Sequence, residues 1–205
     1  MRKQSLTLMT VVPLAALLSP AQQRCEDLSR LALPDIVIQS ATAVPAGSFR
    51  LPSSQANARP VNVPAFCRVA GTIRPTSDSD IRFEVWLPAS GWNGKFQGVG
   101  NGGYAGVINF AGLADAVRVG YASASTDTGH EDSRGNHAEW ALQHLDKIAD
   151  FGYRAIHETA VDAKEIIHAF YGDAPKRSYF NSCSNGGRQA LMEAQLEGRC
   201  TARLW

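Results

Sequence analysis

The sequence lacks an excess of charge of either sign. Its 205 residues include 20 Lys and Arg against 19 Asp and Glu, a formal net charge of +1, and only 19% of the residues are charged. A nucleic-acid-binding domain carries a clustered basic excess, so this composition excludes nucleic acid as a partner. The hydrophobic fraction of 44% is ordinary for a folded domain and excludes a disordered chain.

Long apolar runs are absent after the first 21 residues, so we expect no membrane association. Residues 1–21 have the pattern of a secretory signal peptide, with a basic start, an apolar stretch from Leu6 to Leu18 and small residues up to Ala21. The apolar stretch has about 13 residues, too few to cross ~30 Å of hydrocarbon. A buried N-terminal helix is the alternative. The leader predicts an exported protein, secreted or periplasmic.

Cysteine is scarce, and no Cys-x-x-Cys pair or other zinc-ligand spacing occurs, so no metal site is predicted. Export permits disulfides, and four cysteines allow three complete pairings. Cys25 and Cys67 both lie in the N-terminal segment and are the natural pair. If residues 187–198 form a helix, its ends lie roughly 18 Å apart, too far for Cys183 to bridge to Cys200. The partner of Cys183 is therefore elsewhere or absent.

The order of predicted elements indicates an α/β fold with a mainly parallel sheet. Residues 22–66 read as an irregular arm with short strands. Beyond them, alternation of apolar and polar residues predicts strands, and apolar spacing near 3.6 predicts helices. The strands are expected at 69–73, 81–87, 95–99, 121–125 and 178–180, and the helices at 109–118, 147–171 and 188–197.

A Ser-Cys-Ser-Asn-Gly-Gly segment, residues 182–187, lies between a predicted strand and a predicted helix. An α/β-hydrolase presents its nucleophilic serine at such a turn, where the positions two before and two after the serine must be small. Ser182 and Gly186 meet this requirement around Ser184, and Gly187 is expected to let the helix approach the sheet. The positive end of the helix dipole would favour an oxyanion beside Ser184. A plain Ser/Gly turn is the alternative.

A glycine-rich loop, Gly100-Asn101-Gly102-Gly103, follows the strand at 95–99. An α/β-hydrolase takes one oxyanion donor from a loop after an earlier strand, and glycine lets a backbone N–H approach the substrate. A flexible turn and a phosphate-binding loop are the alternatives. A phosphate loop would have Lys-Ser/Thr after its glycines, whereas Tyr104-Ala105 follow here. The two loops, in this order, favour a hydrolase.

Six sequence stretches carry a specific resemblance; they are residues 44–49, 87–96, 98–106, 125–130, 150–155 and 183–189. Together they resemble the tannase and feruloyl esterase family, secreted serine esterases with an α/β-hydrolase core. The resemblance implies a carboxylic ester hydrolase that cleaves small phenolic esters, gallates or hydroxycinnamates, through an acyl-serine intermediate.

The resemblance also implies roles for individual residues. Ser184 is the expected nucleophile, and Gly102 or Gly103 together with Asn185 are the expected oxyanion-hole donors. Cys183 is expected to bridge to a cysteine beside the catalytic His. The family's structural calcium belongs to a lid domain after the elbow, so no cofactor is expected in this chain.

The resemblance ends near residue 195. In the family, the lid domain, the triad Asp and the Cys-His pair all follow the elbow, and no Asp or His follows Ser184 in this sequence. We therefore expect an incomplete α/β-hydrolase core at 67–195, without the lid domain and the C-terminal half. Residues 196–205 are expected to be an unrelated tail.

Two functions remain open on this basis. The first is an active esterase in which an upstream base replaces the missing His, and His130, which follows Asp127 at a predicted sheet edge, is the first candidate. The second is a catalytically inactive fragment, or a small secreted binding module that uses the loop at 98–106. His130, His137 and His144 are spaced seven apart, but in a loop this spacing does not indicate a zinc site.

Overall fold

The computed structural model describes residues 23–52, 60–104, 106–132 and 137–197. The predicted signal peptide lies outside these residues, as do Cys200 and all but the first two residues of the predicted tail. Within the described ranges, no helix has the length and apolar character needed to cross a membrane.

Six strands form one sheet in the spatial order β1-β4-β5-β7-β6-β8, and β2 and β3 form a separate two-stranded antiparallel sheet. The strands are β1 (Ile36–Val44), β2 (Gly47–Phe49), β3 (Val61–Val63), β4 (Phe66–Ile73), β5 (Ile81–Pro88), β6 (Lys95–Val99), β7 (Ala122–Thr126) and β8 (Arg177–Asn181). The strands predicted after residue 67 are all present, within a few residues of their expected bounds.

The sheet is mixed. The pairs β1–β4, β4–β5 and β5–β7 are antiparallel, whereas β6 is parallel to both β7 and β8. The α/β class is confirmed, but the expectation of a mainly parallel sheet was wrong for the first half. A short turn joins β4 to β5, and strands joined so closely must run antiparallel.

The segment predicted as an irregular arm contains the nine-residue strand β1, which is the edge strand of the main sheet. A short 3-10 helix, Cys25–Arg30, precedes it, and a disulfide between Cys25 and Cys67 ties this helix to β4. This is the pair that the sequence favoured. The division into an arm at 22–66 and a hydrolase domain at 67–195 stays a prediction.

The helices are α1 (Phe110–Arg118), α2 (Leu145–Ala149), α3 (Ala155–Tyr171) and α4 (Asn185–Glu197), with a short 3-10 helix at Glu139–Ala141. The helix predicted at 147–171 is present as a continuous helical run from Leu145 to Tyr171, but a π-helical turn, Asp150–Arg154, lies between α2 and α3 and was not predicted. Helix α4 begins three residues earlier than predicted, directly after Ser184.

The apolar core lies on both faces of the sheet because successive side chains of a strand point to opposite sides. On one face, Val85 of β5 shares a cluster with Ile166 and Ile167 of α3. On the other face, the next residue, Trp86, packs in a cluster with residues of α1, among them Leu113. With helices on both faces, the loops after β6, β7 and β8 emerge at one edge of the sheet, where α/β proteins place their sites.

Candidate active site

Ser184 occupies the sharp turn between β8 and α4. Its φ angle is +57°, in the left-handed region that residues other than glycine rarely adopt, and its side chain is exposed. The turn is closed by two hydrogen bonds, from the Gly186 N–H to the Cys183 carbonyl at 3.0 Å and from the Gly187 N–H to the Ser184 carbonyl at 2.9 Å. A strained serine between a strand and a helix is the geometry of a nucleophile elbow.

The two glycines after Ser184 have different roles. A Cβ at position 186 would overlap the side chain of Ser182, so only glycine fits there. This is the packing that the small residues at positions 182 and 186 predict. A Cβ at position 187 would contact nothing within 4 Å in the part of the chain that the structure describes. The expectation that Gly187 lets the helix approach the sheet was therefore wrong.

Asn101 links the glycine-rich loop to the elbow helix. Its side chain is buried, its Oδ1 accepts a hydrogen bond from Nε2 of Gln189 at 2.8 Å, and its backbone N–H donates to Oε1 of Gln189 at 3.2 Å. Its Nδ2 donates to the carbonyls of Val107 and Thr126, each at 3.3 Å. The loop after β6 is thus held by α4 and by β7 together.

Two of the three glycines of this loop are required, Gly100 for close packing and Gly103 for the turn. A Cβ at Gly100 would lie 2.8 Å from Oγ of Ser182, so the loop and the elbow approach without room for a side chain. Gly103 has a φ angle of +58°, a conformation that favours glycine, whereas a Cβ at Gly102 would contact none of the described residues within 4 Å. The loop that carries Gly102 and Gly103 therefore lies beside the elbow, as the proposed oxyanion hole requires.

Arg188 fastens the start of α4 to the π-helical turn. Its Nη2 donates to the Phe151 carbonyl at 2.9 Å, its Nη1 donates to the Gly152 carbonyl, and the guanidinium lies 4.8 Å from the centre of the Phe151 ring. Its Nε donates to Oδ1 of Asn185 at 2.8 Å. Burial lowers the pKa of Arg188, although such a group stays charged. The side chain of Asn185 is therefore oriented by the helix's own first turn.

An aromatic cluster lies between the glycine-rich loop and the π-helical turn. His130 stacks on Trp140 with ring centres 3.9 Å apart, and both rings pack against Phe151. Tyr104, the residue after Gly103, also contacts Phe151. The predicted substitute base, His130, is thus buried in this cluster and directs its Nε2 at the Tyr104 carbonyl, 2.6 Å away.

Asp127 and His130 are both perturbed by burial at the carboxyl end of β7. Burial raises the pKa of Asp127 to about 7, although its carboxylate accepts hydrogen bonds from the backbone N–H groups of Gly129 and Arg82. Burial lowers the pKa of His130. Both shifts favour the neutral forms, because a charged group is poorly solvated there.

The predictions for Cys183 and for metal ligands are the two that remain. Cys183 is a free, exposed thiol among the described residues, and its predicted bridge stays a prediction. Within the same residues, no group of three or more His, Cys, Asp or Glu is arranged to hold a metal ion. Sequence reasoning missed Gln189, Arg188 and Asn101 as site residues, although all three lie in stretches that carried the family resemblance.

The sheet order, the strained serine between β8 and α4 and the adjoining glycine loop define an α/β-hydrolase-type protein. Residues 67–197 match the family described as "Tannase and feruloyl esterase". The chain belongs to this family.

Individual relatives agree with this assignment. An uncharacterized esterase of Xanthomonas campestris is 46% identical over 92% of this chain and 32% of that protein. Feruloyl esterase B of Aspergillus niger is 32% identical over 86% of this chain and 34% of that protein. The chain therefore spans about a third of the length of these relatives.

Solved structures share the fold. An esterase from Aspergillus oryzae is similar with a TM-score of 0.76 and 29% identity, over 85% of this chain and 35% of that one. Feruloyl esterase B from Aspergillus oryzae gives a TM-score of 0.75 and 34% identity, over 85% and 34% of the two chains.

Proposed function

We propose that this protein is a carboxylic ester hydrolase in which Ser184 forms an acyl-enzyme intermediate. The observation that carries the proposal is the elbow itself: Ser184 is exposed at a φ angle of +57° and is held there by α4 and by the packing of Gly186 on Ser182. Such strain persists only where the surrounding structure enforces it, and it is concentrated at functional sites.

The proposed chemistry has two steps. Oγ of Ser184 attacks the ester carbonyl carbon as a general base takes the hydroxyl proton, and the C–O bond to the leaving alcohol breaks when that alcohol receives the proton. Water then attacks the acyl-serine ester and releases the acid, which regenerates the Ser184 hydroxyl. In an α/β-hydrolase the base is a His that follows the serine and a carboxylate along the chain. No His or Asp follows Ser184 in this sequence, so turnover by this chain requires another proton acceptor.

The backbone around the elbow supports oxyanion stabilisation. The N–H of Asn185 lies in the first turn of α4, where the helix dipole is positive, and the N–H groups of Gly102 and Gly103 belong to the loop that Asn101 joins to α4. Donors fixed before the reaction begins stabilise the negative charge that develops on the carbonyl oxygen. We therefore assign Asn185 and Gly102 or Gly103 as oxyanion donors.

The substrate class is proposed from the relatives. Several proteins that the chain resembles are named feruloyl esterases, and the matched family is described as tannase and feruloyl esterase. We propose small phenolic esters, hydroxycinnamates or gallates, as substrates. Export to the periplasm or the medium is part of the same proposal, and the Cys25–Cys67 disulfide supports it because such bonds persist in oxidising compartments.

The test is hydrolysis of methyl ferulate, methyl gallate and a small aryl acetate by the purified chain. Ser184→Ala is compared with Ser90→Ala, which changes an exposed serine in the loop after β5, and circular dichroism verifies that all three proteins are folded. The proposal expects turnover that Ser184→Ala abolishes and Ser90→Ala retains. Turnover that survives in Ser184→Ala overturns the acyl-serine mechanism, and a folded wild-type chain without turnover favours the catalytically inactive alternative.

A further inference from the structure

We propose that His130 is a positioning residue that fixes the glycine-rich loop by donating a hydrogen bond from Nε2–H to the Tyr104 carbonyl. The catalytic meaning of this role rests on the proposed function, in which Gly102 or Gly103 of that loop is assigned as an oxyanion donor. The hydrogen bond itself is independent of that function and is tested without a substrate.

The geometry restricts which nitrogen of His130 carries a proton. Nε2 lies 2.6 Å from the carbonyl oxygen of Tyr104, and a carbonyl can only accept a hydrogen bond, so Nε2 must be the donor. Nδ1 is buried and makes no hydrogen bond within the described residues, although the backbone of Thr128 interacts with the ring and favours its protonated form. Burial outweighs this effect and lowers the pKa of His130, so we expect the neutral ring with its proton on Nε2.

The ring is held in place by its neighbours. His130 is 6% exposed, stacks nearly parallel to Trp140 at an interplanar angle of 15°, and meets Phe151 edge-on. These contacts leave the imidazole little freedom to turn away from Tyr104. The Nε2–H of His130 therefore has a fixed direction, and its hydrogen bond restrains the Tyr104 carbonyl.

The backbone of residues 130–132 also contacts the same loop, at Gly106. The N–H of Gly106 donates to the Asp132 carbonyl at 3.0 Å, and these two residues form an isolated antiparallel bridge. A Cβ at Gly106 would overlap the carbonyl oxygen of His130, so the two segments run in direct contact. Gly103 lies between two fixed points of the loop, the Asn101–Gln189 contact and the Gly106–Asp132 bridge. The hydrogen bond from His130 to Tyr104 adds a third fixed point between them.

This role differs from that of a substitute base. A base for Ser184 needs a free lone pair directed at the serine. The Nε2 of His130 instead carries the N–H that donates a hydrogen bond to the Tyr104 carbonyl, and its Nδ1 is buried in the protein. His130 thus acts on the reaction through the loop and not by proton transfer.

The first experiment reads the tautomer directly. Long-range ¹H–¹⁵N correlation spectra of the full chain near pH 7 distinguish a protonated from an unprotonated ring nitrogen. We expect His130 to be neutral, with the proton on Nε2. A proton on Nδ1, or an imidazolium ring at this pH, overturns the proposal.

The second experiment separates the hydrogen bond from the packing of the ring. His130→Gln places an amide N–H where Nε2 was but removes the ring, whereas His130→Phe keeps an aromatic ring on Trp140 but has no donor. Backbone ¹⁵N order parameters of Gly102, Gly103 and Tyr104 are measured in both. We expect values near the rigid level of about 0.85 in wild type and His130→Gln, and a fall toward about 0.6 in His130→Phe.

If His130 had a purely structural role, the two variants would give the reverse of the result expected above. If the ring only fills space, His130→Gln loosens the loop and His130→Phe does not, and this result overturns the proposal. Unchanged order parameters in both variants, or an equal fall in both, overturn it as well. Because neither measurement needs ester hydrolysis, failure of the esterase assay and failure of this proposal are distinguishable.

Discussion

Gln189 and Asn101 exchange two hydrogen bonds across 88 positions of the sequence: the Gln189 amide donates to the Asn101 side chain, and its carbonyl oxygen accepts from the Asn101 backbone N–H. Both side chains are buried. The contact joins the elbow helix to the loop after β6, so the nucleophile and the proposed oxyanion donors form one unit rather than two independent loops.

Replacement of Gln189 by leucine is expected to be strongly destabilising. The substitution keeps a similar volume but removes the partner of the Asn101 backbone N–H and leaves its Oδ1 only the 3.5 Å contact with Nδ2 of Asn185. An unsatisfied buried polar group costs about 1–3 kcal/mol. Urea unfolding of Gln189→Leu is compared with Gln195→Leu, at an exposed position of the same helix. Equal free energies of unfolding for the two variants would show that the Asn101 contact contributes nothing.

The neighbouring glycines of the elbow allow a matched comparison. Gly186→Ala drives a Cβ into Ser182 and is expected to destabilise the fold by several kcal/mol or to prevent folding. Gly187→Ala places its Cβ in open space within α4, where alanine is favoured over glycine by about 1 kcal/mol, so it should raise the melting temperature.

A second substitution tests the cause of the Gly186 effect. The atoms that a Cβ at position 186 overlaps both belong to the side chain of Ser182. The double variant Ser182→Gly/Gly186→Ala should therefore recover much of the stability that Gly186→Ala loses. No recovery would mean that the damage arises from the backbone of the turn and not from this overlap.

The sequence predicts the elbow better than its surroundings for a physical reason. A turn as sharp as that at Ser184 needs small residues at fixed offsets from the serine. This requirement involves only neighbouring positions, so it can be recognised in the sequence. The bonds from His130 to Tyr104 and from Arg188 to the Phe151 carbonyl join residues 26 and 37 positions apart. They depend on tertiary placement, which periodicity does not encode.

The same reasoning explains the errors in secondary structure. Residues 147–171 repeat apolar positions at helical spacing, and this spacing does not predict the π-helical turn at 150–154. At that turn the carbonyls of Phe151 and Gly152 accept hydrogen bonds from Arg188, which is distant in the sequence. Short strands were expected in residues 22–66, but the length of β1 and its place in the main sheet were not, because an edge strand paired with β4 alone among the described strands has a weak pattern of buried residues.

The Cys25–Cys67 disulfide is expected to contribute much of the stability of the N-terminal half. It joins residues 42 positions apart, and closing a loop of this length restricts the unfolded chain by about 4 kcal/mol in the entropic account, with measured effects of about 2–4 kcal/mol. Cys25→Ser/Cys67→Ser should lower the free energy of unfolding by that amount in urea. Cys183→Ser, which changes the exposed free thiol, is the control and should change it little.

Asp127 is expected to make the stability of the fold depend on pH. Burial raises its pKa from 3.8 to about 7 in the folded protein. The unfolded chain loses this proton near pH 4 and the folded chain near pH 7, so the contribution of Asp127 to stability is complete below about pH 4 and is lost as the pH rises through about 7. The shift corresponds to a free energy on the order of 4 kcal/mol at most.

Asp127→Asn isolates this effect because an asparagine resembles the neutral carboxylic acid and its Oδ1 can still accept from the backbone N–H groups of Gly129 and Arg82. Its advantage in free energy of unfolding over wild type should grow between about pH 5 and about pH 8. Asp173→Asn, at an exposed position after α3, controls for the general loss of a negative charge. A difference between Asp127→Asn and wild type that stays constant over this range would mean that Asp127 is ionised in the folded protein throughout, and that its two backbone donors outweigh the cost of burying its charge.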